Sequence, residues 1–99
     1  MNLIEKNRKL IKEICFRYKV AKLFVFGSVL TNRFSEESDV DFVVDFENVS
    51  LPEYADNYFD FKSELEKILN RKVDLLEEKA IRNPYLRNSI DSSKILVYG

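Results

Sequence analysis

Between residues 39 and 46 the chain alternates with a period of two. Val40, Phe42, Val44 and Phe46 point one way, and Asp39, Asp41, Val43 and Asp45 point the other. Such a segment is a strand with one face in the core and the opposite face crowded with carboxylates. Aspartate is depleted in strands, and like charges close together destabilise a sheet. Any fold must therefore bury one side of this strand and give the other side a reason to hold its acids.

The surrounding segments supply the covering layer. Residues 2 to 19 read as one amphipathic helix, with Leu3, Ile4, Leu10, Ile11, Ile14, Cys15 and Tyr18 on the apolar stripe and Asn7 as its polar interruption. Residues 21 to 26 (Ala-Lys-Leu-Phe-Val-Phe) read as a buried strand stopped by a Gly27-Ser28 turn. Residues 35 to 38 read as a loop. Ser50-Leu51-Pro52-Glu53 has the signature of a helix start, with Ser50 and Glu53 as a capping box and Pro52 where its missing N–H costs nothing. Tyr54, Tyr58, Phe61, Leu65 and Ile68 continue that helix, and Asn70 ends it. For Tyr54 and Tyr58 this makes core packing a better reading than base stacking, and Phe24, Phe26, Phe42 and Phe46 are placed in the core by the same reasoning. Residues 72 to 76 form a third strand. Asn83-Pro84 opens another helix expected to bury Tyr85, Leu86 and Ile90. Residues 94 to 98 are either a last strand or an apolar tail docked on the core.

Composition narrows the chemistry. The 99 residues fit one domain, 1–99, and hold no His, one Cys and two Gly. Imidazole bases, catalytic triads, His-ligated zinc and an internal disulfide are all excluded. Gly27 is the only interior glycine, so glycine-rich dinucleotide and Walker-type phosphate loops are excluded as well. Sixteen basic residues against 17 acidic ones argue against strong nucleic-acid binding. No apolar stretch is long enough for a membrane span or a signal peptide, so the expected location is cytoplasmic, with Cys15 a buried thiol.

What remains is chemistry run on carboxylates, amines, hydroxyls or metal ions. Asp39 and Asp41 lie two apart on one strand face, roughly 6.5 Å from Cα to Cα. Two solvated aspartates can simply protect a strand edge. They can also hold a magnesium ion, which takes oxygen ligands from one or two carboxylates plus substrate phosphates. Asp74, between Val73 and Leu75, reaches the same site if its strand runs beside residues 39 to 46. Asp45 reads as the polar end of its strand. Gly27 permits close approach of a phosphate to backbone N–H groups, and Ser28 adds a hydroxyl.

Taken in order, Gly27-Ser28, ten intervening residues, Asp39-Val40-Asp41 and Asp74 in a later strand resemble the DNA polymerase β-like nucleotidyltransferases. Within them the chain looks like the minimal nucleotidyltransferases, the MntA-type antitoxins and adenylyltransferases. The resemblance covers most of the chain, from the leading helix to Asn83-Pro84-Tyr85-Leu86. It implies an α+β two-layer fold, a small mixed sheet with helices on one side. It also implies magnesium-dependent transfer of AMP or another nucleoside monophosphate from ATP or a related triphosphate to a hydroxyl. By carry-over, Asp39, Asp41 and Asp74 ligate two magnesium ions, Asp74 helps deprotonate the acceptor, and Gly27 and Ser28 hold the β- and γ-phosphates. The implied partner is a HEPN-domain toxin carrying the acceptor tyrosine, and a homo- or hetero-oligomer is open.

The chain departs from the family at one place. Where Arg-Ala-Arg-Gly commonly follows Gly-Ser, it has Val29-Leu30-Thr31-Asn32, and Arg33 is the nearby candidate to replace the missing charge. That departure supports an alternative, a catalytically decayed module that neutralises its partner by contact alone.

Overall fold

The computed structural model describes residues 2–27 and 39–99. The expectations for Ser28, Arg33 and the loop at residues 35 to 38 lie outside the described residues. The described elements are α1 (Asn2–Lys6), α2 (Arg8–Arg17), β1 (Val20–Phe26), β2 (Val40–Phe46), α3 (Leu51–Leu69), β3 (Val73–Glu77), a 3-10 turn (Glu78–Ala80), α4 (Pro84–Ser93) and β4 (Ile95–Tyr98). The strands form one mixed sheet in the order β3-β2-β1-β4. β1 runs antiparallel to both β2 and β4, and β2 runs parallel to β3. The parallel pair follows from α3, because parallel neighbours need a long crossover and a helix supplies it. The C-terminal apolar segment is thus a strand rather than a docked tail.

The main core lies between one sheet face and helices α1 to α3. Leu23, Val25, Val40, Phe42, Val44, Phe46, Val73, Leu75 and Val97 from the sheet meet Ile4, Ile11, Ile14, Cys15, Phe61, Leu65 and Leu69 from the helices. Each fully buried side chain of this size stabilises the fold by about 1.5–3 kcal/mol. The Phe46 ring packs edge-on against Tyr54 at 5.7 Å and Phe61 at 5.8 Å. Tyr58 Oη donates to the Leu75 carbonyl at 2.5 Å and Tyr54 Oη to Glu77 Oε2 at 2.6 Å, which ties α3 to β3. Both tyrosines are packing residues, as their spacing predicted. Val43 and Ile90 are also buried, but outside this core cluster.

Several local expectations change. The leading helix is two helices, broken at Asn7. The Asn7 side-chain amide donates to the Leu3 carbonyl at 2.9 Å, the local competition with helical bonding that asparagine favours. Leu10 is 49 % exposed because it lies about 90° from the centre of the stripe formed by Ile11, Ile14 and Cys15. The Ser50 side chain makes no capping bond, so the box with Glu53 does not form. The Glu53 N–H donates to the Ser50 backbone carbonyl instead, at 3.0 Å. Asn83 does cap, accepting from the N–H groups of Tyr85 and Leu86 at 2.9 and 3.2 Å. Only Ile90 of α4 is buried, while Tyr85 and Leu86 are 85 % and 41 % exposed. Tyr85 is five residues from Ile90, about 140° around the helix. Asn70 ends α3 in the left-handed region at φ 53°, as expected. Among the described residues, no helix is long and apolar enough to cross a membrane.

Candidate active site

The register of the sheet decides which side chains meet. Across the antiparallel pair, Val25 opposes Phe42 and Leu23 opposes Val44, all in the core. Their neighbours in the alternation, Phe26 opposite Asp41 and Phe24 opposite Val43, therefore face the other way. Phe24 and Phe26 are not core residues, contrary to the sequence reading. They are half-buried on the acid face, and the complete burial of Leu23 and Val25 is the alternation that required it.

Across the parallel pair, Asp41 is the direct register partner of Asp74. Neighbouring strands lie about 4.8 Å apart, so the two acids stand side by side on the central and edge strands. Asp39 sits two residues before Asp41 and is exposed, as is Asp74, whereas Asp41 is half-buried. Gly27 closes the arrangement from β1. It follows Phe26, adopts φ +80°, and a Cβ placed on it would collide with Asp41 Oδ2. Glycine is required here twice over, for its backbone conformation and for the room it leaves beside a carboxylate.

The electrostatics follow from this crowding. The Asp41 carboxyl is pushed above its ordinary range, first by burial and then by the charges of Asp74 and Asp39. Among the described residues, none of these three acids has an ion-pair partner. Uncompensated negative charge on oxygen donors is what a hard divalent cation relieves, so the donor chemistry fits magnesium. Among the described residues, no group of three acids is gathered closely enough to hold an ion unaided. The remaining ligands would have to come from phosphates or water, in keeping with the way magnesium is usually held.

The other candidates fall away from this point. Asp45 lies on the same face four residues along β2, roughly 13 Å away. Lys79 Nζ approaches it at 3.8 Å, and a cavity of about 110 Å³ opens beside it, lined by Tyr54, Glu77 and Lys79 among others. Cys15 is buried and free, and burial pushes its thiol up to about 12, which leaves it inert. One contact on the acid face had no sequence signal: Lys94 Nζ sits 4.4 Å from the centre of the Phe24 ring.

This sheet order, with helices against one face and acids on the other, is the nucleotidyltransferase architecture. A solved structure described as a minimal nucleotidyltransferase superposes with a TM-score of 0.77 at 29% identity, covering 96% of this chain and 95% of that one. The family model for the nucleotidyltransferase domain matches residues 7–97. A relative from Methanocaldococcus jannaschii that carries the name protein adenylyltransferase is 38% identical over 95 residues, 96% of this chain and 91% of its own length. A complex of tri-AMPylated Shewanella oneidensis HEPN toxin with its MNT antitoxin shares the fold at a TM-score of 0.66 and 16% identity, covering 97% of this chain and 72% of that one. The chain belongs to the minimal nucleotidyltransferase, MntA-type, family of the DNA polymerase β-like superfamily, and it is an enzyme of the nucleotidyltransferase class.

Proposed function

We propose that this protein transfers AMP from ATP to a hydroxyl on a HEPN-domain toxin and acts as that toxin's antitoxin. The observation that carries the reading is the Asp41–Asp74 register pair beside Gly27. The adenylyltransferase name of the Methanocaldococcus relative and the AMPylated toxin in the Shewanella complex support the donor and the acceptor.

Asp39, Asp41 and Asp74 are the residues that would hold magnesium. When bound, magnesium neutralises phosphate charge and lowers the pKa of an attacking hydroxyl. The chain's own part is positioning and charge placement, since nucleotidyl transfer asks for little covalent catalysis. Gly27, with Ser28 following it, takes the β- and γ-phosphates on backbone and hydroxyl donors, and Arg33 adds positive charge there. Asp74, the most open of the strand-borne acids, accepts the proton of the attacking hydroxyl. The hydroxyl oxygen bonds to the α-phosphorus, the bond from that phosphorus to the bridging oxygen breaks, and pyrophosphate leaves. The acids on β2 face away from the layer of helices α1 to α3, so both reactants meet on the side of the sheet opposite that layer.

The test is transfer of label from ATP carrying radioactive α-phosphate to a HEPN-domain toxin that this chain binds, with magnesium. Label on the toxin with the wild type and none with Asp41→Ala is the expected outcome. Equal labelling by both proteins would overturn the metal-site assignment. Absence of labelling by the wild type, with toxin binding retained, would leave a contact-only antitoxin.

A further inference from the structure

We propose that the outward face of α2 and α3 is a two-fold interface between two copies of this chain. The two helices lie side by side in the layer that covers the core. The Asn57 side chain of α3 donates to the Tyr18 carbonyl at the end of α2 at 2.8 Å, and the Tyr18 and Phe61 rings are 6.1 Å apart.

Where they lie beside one another their outward faces carry opposite charge, and two turns beyond Asp60 on the same face of α3, Lys67 stands 3.7 Å from Glu64. On α2, Lys9, Lys12, Glu13, Phe16 and Arg17 fall at the spacing of one exposed helical face, with Glu13 the one acid among them. On α3, Glu53, Asp56 and Asp60 form an exposed acidic row beside Phe59. Phe16 is 81 % and Phe59 62 % exposed. Among the described residues, none of Lys9, Lys12, Arg17, Glu53, Asp56 and Asp60 is in an ion pair. The two rows are neighbours and yet do not neutralise one another within the chain.

A surface with a basic half and an acidic half, each with one bare phenylalanine, is complementary to itself. A two-fold axis lying along the α2–α3 boundary sets α2 of one copy on α3 of the other, twice. That is the isologous contact from which most symmetric dimers are built. Phe16 of each copy then meets the other copy's acidic side, near its Phe59, and both rings leave water. A nucleic acid is a poorer occupant, because the acidic row of α3 would repel phosphates drawn to α2. The site acids project from the opposite sheet face, so the dimer leaves the active site open. Two short helix faces give an interface at the small end of the specific range, and the expected dissociation constant is roughly micromolar.

Sedimentation equilibrium of the full chain tests this. The wild type should dimerise in 50 mM salt and weaken by about tenfold in 500 mM salt, because exposed charges are screened there. The double variants Lys12→Glu/Arg17→Glu and Asp56→Lys/Asp60→Lys should each be monomeric, since each places like charge against like. An equimolar mixture of the two should associate again. Melting curves within a few degrees of wild type show that both variants are folded. A wild type that stays monomeric at 1 mM in low salt overturns the proposal, as do variants that dimerise unchanged or a mixture that stays apart. A monomeric wild type that shifts labelled single-stranded RNA, with the shift lost in Lys12→Glu/Arg17→Glu, overturns it in favour of nucleic acid.

Discussion

The two faces of β2 are interleaved one residue at a time, and only one of them carries charge. On the core face Val40, Phe42, Val44 and Phe46 are each 5 % exposed or less and meet apolar partners from both neighbouring strands and the helices. On the other face Asp41 is half-buried, with no ion pair among the described residues, and burial and its acidic neighbours oppose its ionisation. Burial of the apolar side chains on the first face lowers the free energy of the fold. The second face holds charge where the fold alone disfavours it. Val43, fully buried between Asp41 and Asp45 on the acid face, shows that this face packs as well; the comparison teaches that the chemistry is confined to one side-chain parity of the strand while stability draws on both.

The largest expected effects test each face in its own currency. Phe42→Ala should lower the unfolding free energy by about 3–5 kcal/mol, read from the urea midpoint, because the ring is fully buried and its cavity cannot be refilled. Activity per folded molecule should stay near wild type. Asp41→Asn should do the reverse, with AMP transfer falling by at least about 100-fold, roughly 2.7 kcal/mol of transition-state stabilisation, while the metal-free protein melts slightly higher. The sign comes from linkage. The Asp41 carboxyl titrates higher in the folded chain than in the unfolded one, so the folded state binds more protons between the two values and stability falls as pH rises through them. The Asn variant should therefore exceed the wild type in melting temperature at pH 7, and the gap should close below about pH 3.8, the ordinary value for an aspartate. A gap that persists in acid would mean that the effect of Asp41 is steric.

The legibility of the sequence follows the same division. The alternation of residues 40 to 46 is local, so the core face and the acid face were both readable. Asn70 and Asn83 were readable for a similar reason, since a left-handed C-cap and an N-cap are decided within one turn. Asn7 was visible as an interruption but not as a break, because the apolar spacing continues across it. The pairing of Asp41 with Asp74 was legible only as a condition. It depends on α3 carrying the chain over to a parallel neighbour, and no residue spacing fixes that register. The errors at Phe24, Phe26 and Tyr85 share a cause: apolar character was read as burial without asking which face each residue occupies.

Gly27→Ala joins the two faces, because the glycine lies at the end of a core strand and touches a site carboxylate. The substitution should destabilise the protein by about 1–2 kcal/mol from its left-handed backbone alone. It should do so further from the collision between the new methyl and Asp41 Oδ2. In an Asp41→Ala background the second part should vanish, and a double-mutant cycle of melting free energies measures the coupling. Additive effects would show that Gly27 serves the turn alone, and that its closeness to Asp41 carries no energy.

The smallest effect is expected at Asp45, and it sharpens the comparison most. Asp45 shares the face of Asp41 and the same residue type, so parity alone would give it the same importance. Its surroundings differ. It faces no second aspartate across the parallel pair, because Glu77 is the register partner of Val44. Lys79 stands 3.8 Å from it on an 80 % exposed side chain, an ion pair of the kind worth less than about 1 kcal/mol. Asp45 Oδ1 is buried without a hydrogen bond, so an amide there gives up little. Asp45→Asn should then move stability by no more than about 0.5 kcal/mol and kcat/KM for AMP transfer by less than about twofold, roughly 0.4 kcal/mol. Loss of activity on the scale of Asp41→Asn would mean that the working surface runs the whole length of β2. Near-wild-type activity would confine it to the end where a glycine and a second aspartate flank the strand.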